Sequence, residues 1–269
     1  MNNGIGVLGC GWLGFPLAQQ LVKDSYEVHG STTSIDKLEI LEKVGIVPYE
    51  IALSEKGIKG NIEDFLSHIH TLIINVPPKL RGAHSESYID KMEHLHSKVS
   101  ESEVSKIIFV SSTSVYGGVE GEVTEATVPH PETESGKQLL ASEQLFKNDP
   151  NLQTTIIRFG GLIGPDRHPV TLLSGRKELS NGEDPVNLIH LNDCIHMIGA
   201  ILEQGYWDEI FNGVYPLHPT KKVYYTEEAK KRNLPLPKYA EHFQKQQGKV
   251  VLSKNFSDKN QKFHTSIQS

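Results

Sequence analysis

The sequence predicts an α/β fold, a doubly wound parallel sheet with helices on both faces and a small C-terminal lobe. Short runs rich in β-branched residues alternate with amphipathic segments as far as Phe159. Parallel strands need crossover connections, and helices supply them while covering the sheet. A glycine-rich turn also joins the first predicted strand to the first helix. Together these observations favour a sheet of the α/β class.

The elements follow one another in a regular order. Strands are predicted at 4–8, 27–31, 47–51, 71–76, 106–111 and 154–159, and helices are predicted to begin near Leu13, Ile35, Ile62, Ser85 and Gly136. In the fourth helix, apolar residues recur at helical spacing at Ile89, Met92, Leu95 and Val99. Turn and acidic residues without periodicity at 117–133 predict a long loop.

The regular alternation stops after Phe159, where several glycines and Pro165 interrupt the chain. We therefore expect a sheet domain at 1–164 and a small substrate lobe at 165–185 and 216–269. The segment 186–215, with a strand at 186–190 and a helix at 192–203, is expected to return to the sheet domain. Beyond Pro237 the tail is polar and gives no assignable pattern.

Composition restricts the classes of function. The 269 residues are 37% hydrophobic and 22% charged with a net charge of -6, which predicts a folded chain without the basic surface of a nucleic-acid-binding protein. No secretion signal or membrane-length apolar run is present, so we expect no membrane partner. The two cysteines, Cys10 and Cys194, fit the reducing cytoplasm. The 13 histidines lack metal-ligand spacing, so no metal site is predicted.

The glycine-rich turn reads Gly-Cys-Gly-Trp-Leu-Gly and matches the GxGxxG pattern between a strand and a helix. In this context the glycines allow a sharp turn and close approach of a pyrophosphate, and the helix N-terminus supplies N–H groups. The turn therefore predicts a Rossmann-type dinucleotide site. Its binding residues are expected to be Gly9, Gly11, Trp12, Leu13 and Gly14.

The end of the second strand bears on the choice of cofactor. An acidic residue there would bind the ribose 2′-hydroxyl, but this chain has four hydroxyl residues at 31–34 and then Lys37. Thr33, Ser34 and Lys37 therefore predict NADP(H), with NAD(H) as the alternative. A helix capped by Ser34, with Lys37 in solvent, explains the same residues equally well.

Other residues at strand ends are expected near the cofactor. Val76, Pro77 and Pro78 follow the fourth strand, at the edge where ligands of such sheets bind. A plain strand terminator is the alternative for the two prolines. Phe159, which ends the sixth strand, is expected at the same edge.

At 110–117, Val-Ser-Ser-Thr-Ser-Val-Tyr-Gly, the chain resembles the extended short-chain dehydrogenase/reductases, the NAD(P)-dependent epimerase/dehydratase family. The resemblance extends to GKQLLASEQLF at 136–146, RFGGLIGP at 158–165 and LIHLND at 188–193, and it covers most of the chain. It implies an NAD(P)-dependent oxidoreductase or epimerase that acts on a small polar or sugar-like metabolite.

The same resemblance points to an altered active site. It implies that Ser112 hydrogen-bonds the reacting oxygen, but it places Ser135 at the family's acid/base tyrosine and Leu139 at its lysine. Because a serine hydroxyl is a far weaker acid than a phenol, the usual proton transfer cannot run through this pair. Tyr116 is a candidate substitute, or a packing residue of the loop.

Two alternatives stay open from the sequence. Loss of the tyrosine and the lysine also fits a non-catalytic NADP(H)-binding protein with a regulatory or structural role. The helices carrying Ile89, Met92 and Leu140 fit either a homodimer seam, as is common in the family, or packing on the sheet of a monomer.

Overall fold

The computed structural model describes residues 4–78, 86–240 and 248–268. The strands within them are β1 (Ile5–Leu8), β2 (Val28–Thr32), β3 (Val47–Glu50), β4 (Ala52–Ser54), β5 (Gly57–Lys59), β6 (Thr71–Ile74), β7 (Lys106–Ser112), β8 (Gly121–Val123), β9 (Gln153–Phe159), β10 (Gly161–Ile163), β11 (Leu188–His190), β12 (Ile210–Gly213) and β13 (Lys249–Val251). The α-helices are α1 (Gly14–Lys23), α2 (Leu38–Glu42), α3 (Ile62–Ser67), α4 (Tyr88–Ser100), α5 (Glu134–Lys147), α6 (Val170–Leu173), α7 (Leu191–Gln204), α8 (Lys221–Lys231) and α9 (Lys254–Asp258). Short 3₁₀ helices lie at Ile35–Lys37 and Thr113–Tyr116.

Seven parallel strands form the central sheet in the order β12-β9-β7-β6-β1-β2-β3. The chain winds outward from β1 in one direction through β2 and β3, and in the other through β6, β7, β9 and β12. The predicted fold class, a Rossmann-type doubly wound sheet, is confirmed. Ligands of such sheets bind where the winding reverses, which here is the carboxyl edge between β1 and β6.

Alternate residues of the strands enter two separate cores, one on each face of the sheet. Leu8, Ile74 and Phe109 pack with α3, α4 and α5 on one face. Their neighbours Val7 and Ile73 pack with α1 and α7 on the other. Burial on both faces explains why these strands are almost wholly apolar.

The structure adds elements that local patterns did not predict. β8 lies inside the segment predicted as a loop at 117–133, and it pairs in parallel with β13 from the tail that gave no pattern. The prediction that 117–133 is only a loop is therefore wrong at β8. Three-residue strands held by such distant pairing carry little local signal. The helix predicted near Ser85 begins at Tyr88, and Ser85 lies outside the described residues.

A third core lies beyond the central sheet, where α6, α8 and the β10–β11 pair meet. Its buried residues are Ile163, Val170, Val186, Leu188, Tyr224, Tyr225, Ala229 and Ile267. β12 joins the central sheet and α7 packs on its face. In the sequence, these two elements separate the two parts of the chain that form the third core. The division of the chain at 1–164 stays a prediction.

The apolar stripe of α4 was expected either in a homodimer interface or on the sheet of a monomer. Met92, Leu95 and Val99 of α4 are fully buried against the sheet of a single chain. Most apolar residues of α4 therefore pack within a single chain.

Within the described ranges, no helix is both long and apolar enough to cross a membrane.

Candidate functional site

The glycine turn leaves β1 at the point where the winding of the sheet reverses. Gly9 has a φ of 104°, a conformation that favours glycine, and its N–H donates to Ser31 Oγ at 2.9 Å. The side-chain amide of Asn75, just after β6, donates to the Gly9 carbonyl oxygen at 3.1 Å. Both neighbouring strands therefore hold the turn. Asn75 was not among the residues predicted to bind the cofactor, although its polar side chain directly after a buried strand could have indicated it.

The protein's own packing requires a glycine at Gly14 but not at Gly11. At Gly14, a Cβ atom would overlap the carbonyl oxygen of Gly9, so this glycine lets α1 approach β1. At Gly11, a Cβ atom would meet no atom within 4 Å, and no unusual φ requires glycine there. Internal packing explains Gly14 but not Gly11. The space beside Gly11 fits the close approach of a diphosphate to bare main chain.

The first turn of α1 offers unpaired donors beside that space. Leu13, its N-cap residue, makes no side-chain capping hydrogen bond, and the first turn contains no acidic residue. Among the residues that the structure describes, the N–H groups of Trp12 and Leu13 have no acceptor. An uncapped helix N-terminus with free N–H groups is suited to an anion. The predicted glycine-loop residues thus lie together beside open space at Gly11.

Trp12 is turned toward the chain that leads into the third core. Its indole N–H donates to the Pro165 carbonyl oxygen at 3.0 Å, and the Arg167 guanidinium lies 4.8 Å from its ring centroid. A Cβ atom at Gly164 would lie 3.0 Å from this ring. The side chain therefore packs against the turn around Gly164.

The hydroxyl residues at the end of β2 and just after it divide into two groups. Ser31 is buried and serves the glycine turn, and Thr32 Oγ1 accepts the N–H of Ser34. Thr33 and Lys37 are exposed. Ser34 occupies the N-cap position but its side chain makes no capping bond, which leaves its hydroxyl available. The three predicted phosphate-binding residues therefore lie close together at the carboxyl end of β2.

The residues after β6 lie at the same edge. The carbonyl oxygen of Val76 accepts the Tyr88 hydroxyl at 2.9 Å, Pro77 is exposed and Pro78 is half-buried. Phe159 is buried in the core at the carboxyl end of β9. Their contact with a cofactor stays a prediction.

Ser112 ends β7 and its hydroxyl accepts the N–H of Ser114 at 3.2 Å. Ser135 lies in the first turn of α5, whose N-cap Thr133 accepts the N–H of Gly136. A Cβ atom at Gly136 would lie 3.0 Å from the Ser114 carbonyl oxygen, so the start of α5 packs against the turn that follows Ser112. The two serines therefore lie on adjoining segments.

Neither Leu139 nor Tyr116 offers the missing acid/base group. Leu139 is buried in the apolar core. Tyr116 is fully buried, donates to Asn212 Oδ1 at 2.8 Å and accepts from Arg158 Nη1 at 3.0 Å. Burial raises the pKa of this phenol, although the Arg158 guanidinium opposes the shift. These contacts favour a packing role for Tyr116.

A cleft of about 540 Å³ opens beyond the carboxyl ends of β7 and β9. Polar and charged residues from four parts of the chain line it, among them Glu132, Asp184, Asn187, Lys221, Tyr225 and Lys249. Gly117, which follows the predicted catalytic residue Tyr116, and Gly161, which follows β9, also line it. Its size suits a small polar molecule. Lys249 could not be identified from local sequence patterns, because only pairing with β8 brings it here.

No protein-family model matches the chain. Protein YeeZ of Escherichia coli strain K12 is 34% identical over 248 residues, which cover 92% of this chain and 90% of YeeZ. The structure of MoeE5 in complex with UDP-glucuronic acid and NAD has a TM-score of 0.80 at 18% identity, over 99% of this chain and 95% of MoeE5. UDP-glucuronic acid 4-epimerase from Bacillus cereus, in complex with NAD, has a TM-score of 0.79 at 20% identity, over 98% and 93% of the two chains.

Proposed function

This chain belongs to the family of Escherichia coli protein YeeZ and has the fold of NAD-dependent epimerases and dehydratases, and we propose that it is an NADP(H)-dependent oxidoreductase or epimerase. Its substrate is a small polar or sugar-like metabolite. The open space at Gly11 carries the proposal, because no contact within the protein explains a glycine there. The NAD bound to both structural neighbours supports a nicotinamide cofactor, and the UDP-glucuronic acid bound to MoeE5 supports a sugar-like substrate.

The residues around the turn fit the parts of a dinucleotide. The N–H groups of Trp12 and Leu13 would hold the diphosphate, and the first turn of α1 adds its positive dipole end. The exposed Thr33 and Lys37, with the hydroxyl of Ser34, would hold a 2′-phosphate. This group makes NADP(H) the preferred cofactor over NAD(H). When bound, the nicotinamide ring supplies a hydride donor or acceptor.

The chain's own residues would orient the substrate beside that ring. The Ser112 hydroxyl, fixed by the N–H of Ser114, would hydrogen-bond the reacting oxygen. Ser135 would add a second hydroxyl from the start of α5. Neither serine is acidic enough to give up its proton at neutral pH, so they would pass a proton from water.

A second candidate function is binding without turnover. It is favoured by the burial of Leu139, which leaves no cation at the position where the family has its lysine. In that case cofactor occupancy would be the signal, and the serines would have no substrate to orient.

A turnover assay separates the two. NADPH absorbance is followed with a panel of aldehydes, ketones and UDP-sugars, using the wild type, Ser112→Ala and the exposed control Ser97→Ala. Because epimerisation returns the hydride to the substrate and causes no net change in NADPH absorbance, the UDP-sugars are also analysed by NMR for epimerised product, with NADP as well as NADPH. We expect oxidation of NADPH or an epimerised product with at least one substrate, a loss of about a hundredfold in Ser112→Ala and no change in Ser97→Ala. Tight cofactor binding with neither oxidation nor epimerised product across the panel would instead support the binding protein.

A further inference from the structure

Lys249 is a half-buried cation that lines the cleft beside the turn after Ser112. Its amine donates to the carbonyl oxygen of Thr113 at 3.0 Å and to that of Gly117 at 2.7 Å. An ammonium group has three N–H donors, so one of them is left over. The remaining N–H donor is available to a ligand, since Lys249 lines the open cleft.

The position of Lys249 is fixed by contacts on both sides of it. β13 pairs with β8, and Lys249 lies opposite Gly121. The Asn187 amide donates to the Lys249 carbonyl oxygen and accepts the N–H of Val251, both at 2.8 Å. The cation is therefore held in place before any ligand arrives, which lowers the entropic cost of binding.

The charge of this amine is not neutralised by a carboxylate in the described parts of the chain, where no acidic group lies within 4.0 Å of it. The other lysine of the cleft, Lys221, is already paired with Asp184 at 3.0 Å. Burial lowers the pKa of Lys249, the Glu132 carboxylate beside Gly118 opposes this shift, and Lys221 adds to it. A partly desolvated cation that no carboxylate contacts directly favours an anion at this place.

We propose that Lys249 is the anion-binding residue of the substrate cleft and pairs with a phosphate or carboxylate group of the substrate. This inference rests on the proposed function, since it assigns the cleft to the substrate. It places a positive charge in the active region although the usual lysine position holds Leu139. The substrate is therefore acidic, and its charged group lies near the carbonyl oxygens of Thr113 and Gly117.

Calorimetry with two simple anions tests the proposal. Inorganic phosphate and citrate, representing the two anion chemistries, are titrated into wild type, Lys249→Met, Lys249→Arg and Lys222→Met. Lys222 is a neighbouring exposed lysine and controls for the loss of one charge. We expect at least one anion to bind the wild type and Lys222→Met alike, Lys249→Arg to retain binding, and Lys249→Met to lose about tenfold in affinity.

Labelling of the unaltered protein covers the case in which Lys249→Met does not fold. Acetic anhydride at limiting concentration acetylates accessible amines, and mass spectrometry measures each lysine. The anion that binds should protect Lys249 about fivefold or more and leave Lys222 unprotected. The proposal is overturned if neither anion binds up to about 50 mM, if Lys249→Met binds as the wild type does, or if Lys249 is not protected.

The proposed function can fail separately from this inference. An anion bound at Lys249 in a protein that binds no NADPH would leave the inference standing and contradict the proposed cofactor. NADPH binding with no anion at Lys249 would support the proposed cofactor and contradict the inference about Lys249.

Discussion

The indole N–H of Trp12 donates to the carbonyl oxygen of Pro165 at 3.0 Å. This bond joins the glycine turn to the chain that leads into the third core, and the Arg167 guanidinium lies 4.8 Å from the ring centroid. A ligand in the turn would lie beside this indole. Trp12 is thus both part of the proposed cofactor site and a link to the chain that leads into the third core.

Trp12 should report cofactor binding by its fluorescence. The chain has two tryptophans, and Trp207 lies near Lys106, at the opposite edge of the sheet where β7 begins. NADPH should quench emission in the wild type and in Trp207→Phe, because the nicotinamide absorbs where indole emits. Trp12→Phe should lose most of the quenching. Equal quenching in Trp12→Phe and Trp207→Phe would place the cofactor elsewhere.

Lys37 should discriminate between the two cofactors. Lys37→Ala should weaken NADPH binding about tenfold, as expected for one lost charged hydrogen bond, and leave NADH binding unchanged. The effect should shrink at high salt because the lysine is exposed. Titrations of both nucleotides measure it, with the exposed Lys43→Ala as control. Equal loss for NADH and NADPH would remove the 2′-phosphate assignment.

The buried pair Arg158–Glu143 should contribute to stability rather than to binding. Arg158 donates to both Glu143 oxygens at 2.6 to 3.2 Å and joins β9 to α5, with both side chains almost fully buried. Glu143→Gln leaves the guanidinium without its counter-ion and should lower the free energy of unfolding by about 3 kcal/mol. Glu39→Gln, in the exposed pair with Lys43, should cost less than about 1 kcal/mol. Urea unfolding that gives equal losses would contradict this.

His168 should make stability fall in acid. Its Nδ1 accepts the N–H of Val170 and its Nε2 lies 3.1 Å from the Tyr224 hydroxyl, which suits a neutral ring. Burial, reinforced by Arg232 and opposed by Glu228, lowers the pKa of His168 from 6.5 to about 4. Because the unfolded chain takes up the proton first, stability is fully present above pH 6.5 and is lost as the pH falls toward 4.

Thermal melts at several pH values check this dependence. His168→Gln should be less stable at neutral pH but should show a smaller further loss between about pH 6.5 and pH 4. The exposed control His70→Gln should follow the wild type. If the stability of His168→Gln depends on acid pH as that of the wild type does, groups other than His168 cause this dependence.

The central sheet could be predicted from the sequence because its strands carry their signal locally. In β7 the run from Ile107 to Val110 is apolar on both faces, and the glycine turn follows the first strand directly. The loop residues Gly9 to Gly14 could be assigned for the same reason. In each case a few neighbouring residues contain the whole pattern.

The substrate cleft could not be predicted from the sequence, because pairing between strands that are far apart in the chain forms it. Lys249 reaches the turn after Ser112 only through the β8–β13 pair, and Asn187 stabilises that pair from a third segment. Tyr116, proposed from sequence as a proton donor, is enclosed by Arg158 and Asn212 from other strands. Its burial depends on contacts that no local pattern contains.

Calorimetry of Gly11→Ala tests the central claim most directly. A Cβ atom at Gly11 meets nothing within the protein, so the variant should be as stable as the wild type yet bind NADPH about tenfold or more weakly. Gly199→Ala, whose Cβ atom also meets nothing but lies in α7, should bind as the wild type does. Equal NADPH affinity of Gly11→Ala and wild type, or no binding of either reduced nucleotide to the wild type, would contradict the account.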